Sequence, residues 1–240
     1  MAETLHSSFD VEIGLFDAAK VVMEYNLSPT NYRFQTNIQT DGIFATFYTY
    51  HATYQTSGHV EGNQFITQEY GYDTYTSAHR RQKQLVFDDN GLLIKRISFK
   101  DEHRREVDIA PLNPAPDAYD LQTAFAMVIK NIIQEDTCNL EQTVYNGKRV
   151  YQIIVQEEGR EYLSEENLPY QGQALKCSFF LKQSEDADLD LLAGSTVNRP
   201  VYFWVLKEKQ TDLPFVAKFE VESTPLGALK GYLTHVEVKE

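Results

Sequence analysis

Apolar and polar positions alternate from early in the chain. Val21, Met23, Tyr25 and Leu27 fall on one side of an extended segment and Val22, Glu24, Asn26 and Ser28 on the other, the period of two that marks a strand with one wet face. Tyr32, Phe34, Thr36 and Ile38 repeat the pattern after Ser28-Pro29-Thr30-Asn31, so the first forty residues predict a meander of about three antiparallel strands. From Gly42 to Gly58 two periods compete. Phe44, Phe47, Tyr48, His51 and Ala52 fit a helix, whereas Tyr48, Tyr50, Ala52 and Tyr54 alternate with Thr49, His51 and Thr53. A short helical turn near Ile43 to Tyr48 that runs into a strand satisfies both. Strands follow at Phe65 to Tyr75, Gln82 to Phe87 and Leu92 to Phe99, the last two joined through Asp88-Asp89-Asn90-Gly91, where Asn-Gly tolerates the positive φ of a hairpin turn.

Ala110-Pro111-Leu112-Asn113-Pro114-Ala115-Pro116 interrupts this pattern. Prolines so dense do not sit in a central strand, so residues 110–116 predict a connection between two halves of one β-rich domain spanning 1–240. Next comes the one segment with a clear helical period. Asp117 or Asp120 is placed to cap it, and Leu121, Phe125, Val128, Ile129, Ile132 and Ile133 make an apolar face through Gln134 that needs a partner. The inner face of the sheet is the obvious one. Strand patterns then resume as a hairpin turning at Asn146-Gly147, then Leu175 to Lys182, Val201 to Glu208, Phe215 to Ser223 and Leu233 to Lys239.

Composition agrees with a β-dominated fold: 15 Tyr and 14 Phe stand against 3 Met and 1 Trp among 240 residues, a mixture that suits pleated, half-buried surfaces. The formal charge of −13 argues against nucleic acid as a partner. The basic groups Arg80, Arg81, Lys83, Arg104 and Arg105 have Asp88, Asp89, Asp101, Glu102 and Glu106 nearby to offset them. No stretch approaches the roughly 18 apolar residues of a membrane-crossing helix, and Met1-Ala2-Glu3-Thr4-Leu5-His6 lacks the basic and apolar regions of an export leader. Two readings stay open, a cytosolic start or a mature exported chain whose leader was replaced.

Candidate chemistry is sparse. Asp186, Asp188 and Asp190 open like a calcium-binding loop, but Leu191 and Val197 stand where that loop needs Gly and an acid. His6, His51, His59, His79, His103 and His235 lack the spacing of a zinc helix. Thr56-Ser57-Gly58-His59 sets a hydroxyl beside a histidine, yet a turn explains it equally well, and no nucleophile-elbow sequence occurs. Asn26-Leu27-Ser28 is formally a glycosylation triplet with Pro29 behind it. These residues assign no catalytic group, no metal ligand and no cofactor.

In the second half, Asp120-Leu121-Gln122 on a helix is followed by Cys138, by Val144-Tyr145-Asn146-Gly147-Lys148-Arg149-Val150-Tyr151, and by Ala174-Leu175-Lys176-Cys177. This order resembles DUF3108, a family of uncharacterised exported bacterial proteins. In that family a helix, a Cys, a hairpin of the form Val-Phe-Asp-Gly-Lys-Arg-Arg-Tyr and a second Cys succeed one another. Asn146 and Val150 depart from the pattern while keeping its turn chemistry. Thr40-Asp41-Gly42-Ile43-Phe44 and Tyr54-Gln55-Thr56-Ser57-Gly58 extend the similarity into the first half.

The resemblance implies a β-rich fold and a periplasmic or otherwise exported location, and brings no catalytic residues with it. In that compartment Cys138 and Cys177 are expected to form a disulfide; the alternative is two buried thiols in a reducing cytosol. The expected architecture is a strongly curved antiparallel sheet or incomplete barrel with the 117–134 helix on its concave face. The expected role is non-catalytic binding of a lipid-like, peptide or glycan ligand from the envelope, with Phe34, Phe44, Phe47, Tyr48 and Phe125 as candidate contacts. Two alternatives are a hydrolase acting on an envelope polymer and a scaffold binding a protein through sheet edges, suggested by strands such as Val201 to Lys209.

Overall fold

The computed structural model describes residues 3–109, 118–145, 149–165, 168–183 and 200–239. The first half forms β1 (Thr4–Ile13), β2 (Phe16–Leu27), β3 (Asn31–Thr40), a short helix α1 (Gly42–Phe47), β4 (Tyr50–Glu61), β5 (Gln64–Thr76), β6 (Arg80–Phe87), β7 (Leu93–Lys100) and β8 (His103–Asp108). The second half forms α2 (Leu121–Glu135), β9 (Leu140–Tyr145), β10 (Val150–Leu163), β11 (Gly172–Gln183), β12 (Val201–Lys207), β13 (Pro214–Thr224) and β14 (Gly227–Lys239). All 14 strands belong to one antiparallel sheet in the order β8-β7-β6-β5-β4-β3-β2-β1-β14-β13-β12-β11-β10-β9. Every pair joins strands that are neighbours in sequence except β1 with β14, which sets Leu5 opposite Val238 and Ile13 opposite Leu229.

Among the described residues the sheet does not close through backbone pairing between β8 and β9. Its two ends meet instead through side chains: Tyr70, Leu85, Leu93 and Ile109 pack with Tyr145, joined by Val107 and Val150. The open side of β9 is occupied by a one-residue parallel bridge from Tyr119 to Val144. There the Tyr119 N–H donates to the Thr143 carbonyl at 3.1 Å and the Tyr145 N–H to the Tyr119 carbonyl at 2.8 Å. The outer strand β8 carries charged, largely exposed residues, the usual way to discourage further pairing.

Helix α2 lies inside this curve. Its Ala126, Met127 and Ile129 pack with Phe9, Tyr32, Phe34 and Phe65, while Ala124, Val128 and Ile132 pack with Ile153, Val155 and Leu175. A helix buried on two sides is enclosed by its sheet, not merely laid on it. Asp120 caps its start and Asp136, in the left-handed region at φ 57, ends it. The bond between Cys138 and Cys177, with Cα atoms 6.5 Å apart, ties the helix exit to β11 across β10 inside the fully buried second cluster. The sheet also leaves room for only a hydrogen at two crossing points. A Cβ on Gly231 would stand 2.1 Å from the Phe219 ring, and one on Gly58 would meet the Ile66 carbonyl at 2.1 Å and the Tyr32 ring at 2.7 Å.

The meander, the short helix running into β4 and the long helix follow the sequence reading. Several details differ. The helix begins at Leu121 with Asp120 as its cap; Asp117, the 110–116 run, the Asn146-Gly147 turn and Asp186, Asp188 and Asp190 lie outside the described residues. Strand β8 was not expected at all, and β10 continues to Leu163 through a register shift between Glu157 and Gly159. Val201 to Lys207 is no edge, because β12 is paired with β11 on one side and β13 on the other.

Candidate functional site

The first turn of α2 is held by a buried polar cluster. Asp120 Oδ1 accepts from the backbone N–H groups of Gln122 and Thr123, both at 3.0 Å. Its Oδ2 accepts from the hydroxyls of Thr123 at 2.5 Å and Thr56 at 3.1 Å. The Tyr32 hydroxyl donates to Thr67 Oγ1 at 3.0 Å and lies 2.9 Å from Thr123 Oγ1. Asp120 is 1% exposed, and burial raises its carboxyl above the ordinary value although the Thr123 hydroxyl and the two backbone groups act the other way. With all its near donors committed to the fold, the cluster works as an anchor between α2 and β3, β4 and β5.

Beyond that anchor the concave face changes character. Gln122 Nε2 donates to Thr36 Oγ1 at 3.2 Å and to the Tyr54 carbonyl at 3.4 Å, while its buried Oε1 has no hydrogen-bond partner among the described residues. The Tyr54 carbonyl accepts only from the amide nitrogen, which fixes the orientation of the amide group. Strand register places Tyr54 beside Tyr72 and Ile38 beside Val21, all four half-buried. Tyr54 and Tyr72 pack with ring centroids 5.8 Å apart, and the Tyr50 and Tyr54 hydroxyls lie 3.2 Å from each other. Across the interior, Phe125 on α2 meets Phe179 on β11 edge-on at 5.6 Å, both half-buried. This stretch of wall is therefore aromatic and aliphatic yet still reached by solvent.

The five residues expected to bind a ligand do not share one place. Phe34 is 3% exposed and stacks on Tyr25 at 5.3 Å, deep in the core. Phe125 belongs to the concave wall just described. Phe44, Phe47 and Tyr48 belong to α1 and its exit, with Tyr48 stacked on Tyr50 at 6.2 Å. Sequence reasoning missed Gln122, Tyr72 and Val21; the strict Tyr50, Ala52, Tyr54 alternation was the available signal for the β4 part of the wall.

On the outer face of the sheet, polar groups pair with one another. A groove of 510 Å³ on the opposite face of β2 to β6 is lined by Lys20, Asn37, His51, Asp73, Tyr75 and Arg80, among others. Within it Arg80 Nε donates to Asp73 at 3.1 Å, and Thr53 donates to Asn37 at 2.8 Å. Thr56 and His59, three positions apart in the sequence motif, diverge: Thr56 turns to Asp120 and His59 to Glu61 at 3.5 Å. Among the described residues no three His, Cys, Asp or Glu groups are placed to hold a metal ion, and no helix is long and apolar enough to cross a membrane.

The family model of a protein of unknown function, DUF3108, matches residues 8–234, nearly the whole chain. The chain belongs to the DUF3108 family. None of the curated proteins matches this DUF3108 chain. Among solved structures, it is similar to a β-barrel-like protein of a domain of unknown function, DUF1849, from Brucella abortus, with a TM-score of 0.55 and 9% identity over 99% of this chain and 98% of the other. At that identity the likeness concerns the fold. The DUF3108 chain thus shares a barrel-like fold with a protein of another domain of unknown function, and neither comparison names an activity or a ligand.

Proposed function

We propose that this DUF3108 protein is an exported, non-catalytic binding protein whose concave wall takes the apolar chain of a lipid-like envelope ligand. The observation that carries this reading is the half-buried wall of Val21, Ile38, Tyr54, Tyr72, Phe125 and Phe179 inside an otherwise well-packed curve. Covering apolar surface is worth about 25 cal/mol per Å², so a wall left wet by the fold is a surface that a guest chain would stabilise. Gln122 Nε2, held by Thr36 Oγ1 and the Tyr54 carbonyl, fixes the helix side of that wall. Apolar surroundings with a few polar groups are the common pattern of small-molecule sites. The disulfide, buried and joining the helix to the sheet, supports the exported location, because such bonds persist in oxidising compartments.

The test is a fluorescence titration with an anthroyloxy-labelled sixteen-carbon fatty acid. Saturable one-to-one binding is expected, weakened at least tenfold by Ile38→Asp, with far-UV circular dichroism confirming that the variant is folded. Phe125→Ala, which removes the α2 part of that wall, is expected to weaken binding as well. Absence of saturable binding, or binding unchanged in both folded variants, would overturn the reading.

A further inference from the structure

Six of the nine exposed large hydrophobic residues described lie on three neighbouring segments at one end of the sheet. Leu15, 96% exposed, and Phe16 stand at the β1–β2 turn; Leu226, 66% exposed, is at the β13–β14 turn; Ile43, Phe47, 82% exposed, and Tyr48 belong to α1 and its exit. The three places are neighbours. The Gly14 N–H donates to the Ala228 carbonyl at 2.9 Å, and a Cβ on Gly14 would stand 3.1 Å from the Leu226 carbonyl. On the other side the Asp41 N–H donates to the Ala18 carbonyl at 2.9 Å, and a Cβ on Gly42 would stand 2.7 Å from the Asp17 carbonyl.

We infer that this collar is a docking surface for a lipid bilayer, with the turn tips inserted among the headgroups and upper acyl chains. Its shape favours that occupant. The side chains come from two hairpin turns and a short helix brought together, and α1 has no fully buried residue of its own. Exposed apolar clusters of this kind mark interaction surfaces, and Phe and Leu are the residues that monotopic proteins bury at the acyl boundary. Charge narrows the choice of lipid. With a net charge of −13 the chain is repelled by an anionic surface, and behind the collar Lys20 is paired with Asp41 at 3.4 Å. The surface is therefore a zwitterionic one, held by apolar insertion with little salt dependence. Tyr50, next in line on β4 after the collar's Tyr48, leads to the concave wall, which places docking and the interior at the same end; the docking itself does not rest on what the interior binds.

The experiment is co-flotation of the intact protein with phosphatidylcholine vesicles. The wild type is expected to float, about equally at low and high salt, and the triple variant Leu15→Ser, Phe47→Ser, Leu226→Ser to partition at least a hundredfold less. That is below the roughly thousandfold that about tenfold for each of three fully buried side chains would give, and the three positions are exposed, so the fold is retained. A second variant, Phe47→Trp, is expected to show a blue shift on adding vesicles, distinct from buried Trp204. Wild-type protein that stays in solution, a triple variant that floats as well as the wild type, or a Phe47→Trp emission unmoved by vesicles would each overturn the inference. So would a dimer in vesicle-free sedimentation that the triple variant abolishes, which would make the occupant a second copy of the chain. Ile38→Asp, aimed at the interior, is expected to float normally, so failure of the interior reading is separable from failure of this one.

Discussion

Replacing Asp120 separates the value of a buried acceptor from the cost of a buried charge. In Asp120→Ala the helix loses both N-cap bonds, worth about 1 kcal/mol, and the Thr56 and Thr123 hydroxyls lose an acceptor. Thr56 retains the Glu69 carbonyl at 3.0 Å, and Thr123 retains Tyr32 and Thr67, so their combined loss is on the order of 2 kcal/mol, less than two fully orphaned groups. A total of about 3 kcal/mol is expected, a large part of ordinary net stability. Asp120→Asn keeps the capping oxygen and places a donor among four hydroxyls that are free to turn and accept; its cost should stay within about 1 kcal/mol. The sign of the pH dependence follows from burial, which raises the folded-state pKa of Asp120. Such a group favours the fold most fully below its unfolded value of about 3.9, and that contribution is lost as pH rises through the folded value. The stability difference between Asp120→Asn and the wild type should therefore move in favour of Asn between about pH 3.5 and pH 7. Urea unfolding followed by circular dichroism at both pH values measures it. An Asp120→Ala cost below about 1 kcal/mol, or an Asn variant as damaged as the Ala variant at pH 7, would refute the account of the cluster.

Removing both cysteines, Cys138→Ala with Cys177→Ala, should lower stability by about 4 kcal/mol by the chain-entropy estimate for a loop of 39 steps, read from the urea midpoint of oxidised wild type against the variant. Gly231→Ala should cost about 1 to 3 kcal/mol by driving the Phe219 ring from its place, and adding Phe219→Leu should recover part of the loss in a double-mutant cycle. Glu161 is held below its ordinary pKa first by the hydrogen bond from Trp204 and, against the effect of burial, by Lys176 and Lys218. A lowered acid contributes above its unfolded pKa and stops contributing as pH falls through the folded one, so Trp204 emission should shift on acidification in the wild type and not in Glu161→Gln.

What could be read beforehand was whatever the chain writes locally. The helix is announced by Asp120 followed by apolar residues at helical spacing, and β2 and β3 by alternation that the inner and outer faces enforce. Strand β8, His103–Asp108, gives no such signal because its side chains are charged and mostly exposed, leaving only its pairing to β7 to define it. Gly227 and Gly231 weaken the strand pattern of β14, yet Gly231 is there to admit Phe219. The anchor around Asp120 was half legible: the cap is a local signal, whereas Tyr32, Thr56 and Thr67 are ordinary strand residues brought to it from three separate strands. Of the collar residues, Phe47 and Tyr48 were expected as ligand contacts, while Leu15 and Leu226 look like unremarkable turn residues until β1 and β14 pair.

That same pairing sets the order in which the sheet can be completed. A chain emerging N-terminus first can zip β1 through β8 by neighbouring hairpins at once, but β1 keeps one side open until β14, the last strand, arrives more than two hundred residues later. Throughout that interval Leu5, Phe9 and Val11 sit on an unpaired edge that any other extended chain can join. For this protein the hazardous moment of biogenesis is the wait for β14 to reach β1, the interval in which a helper that shields β1 would protect it.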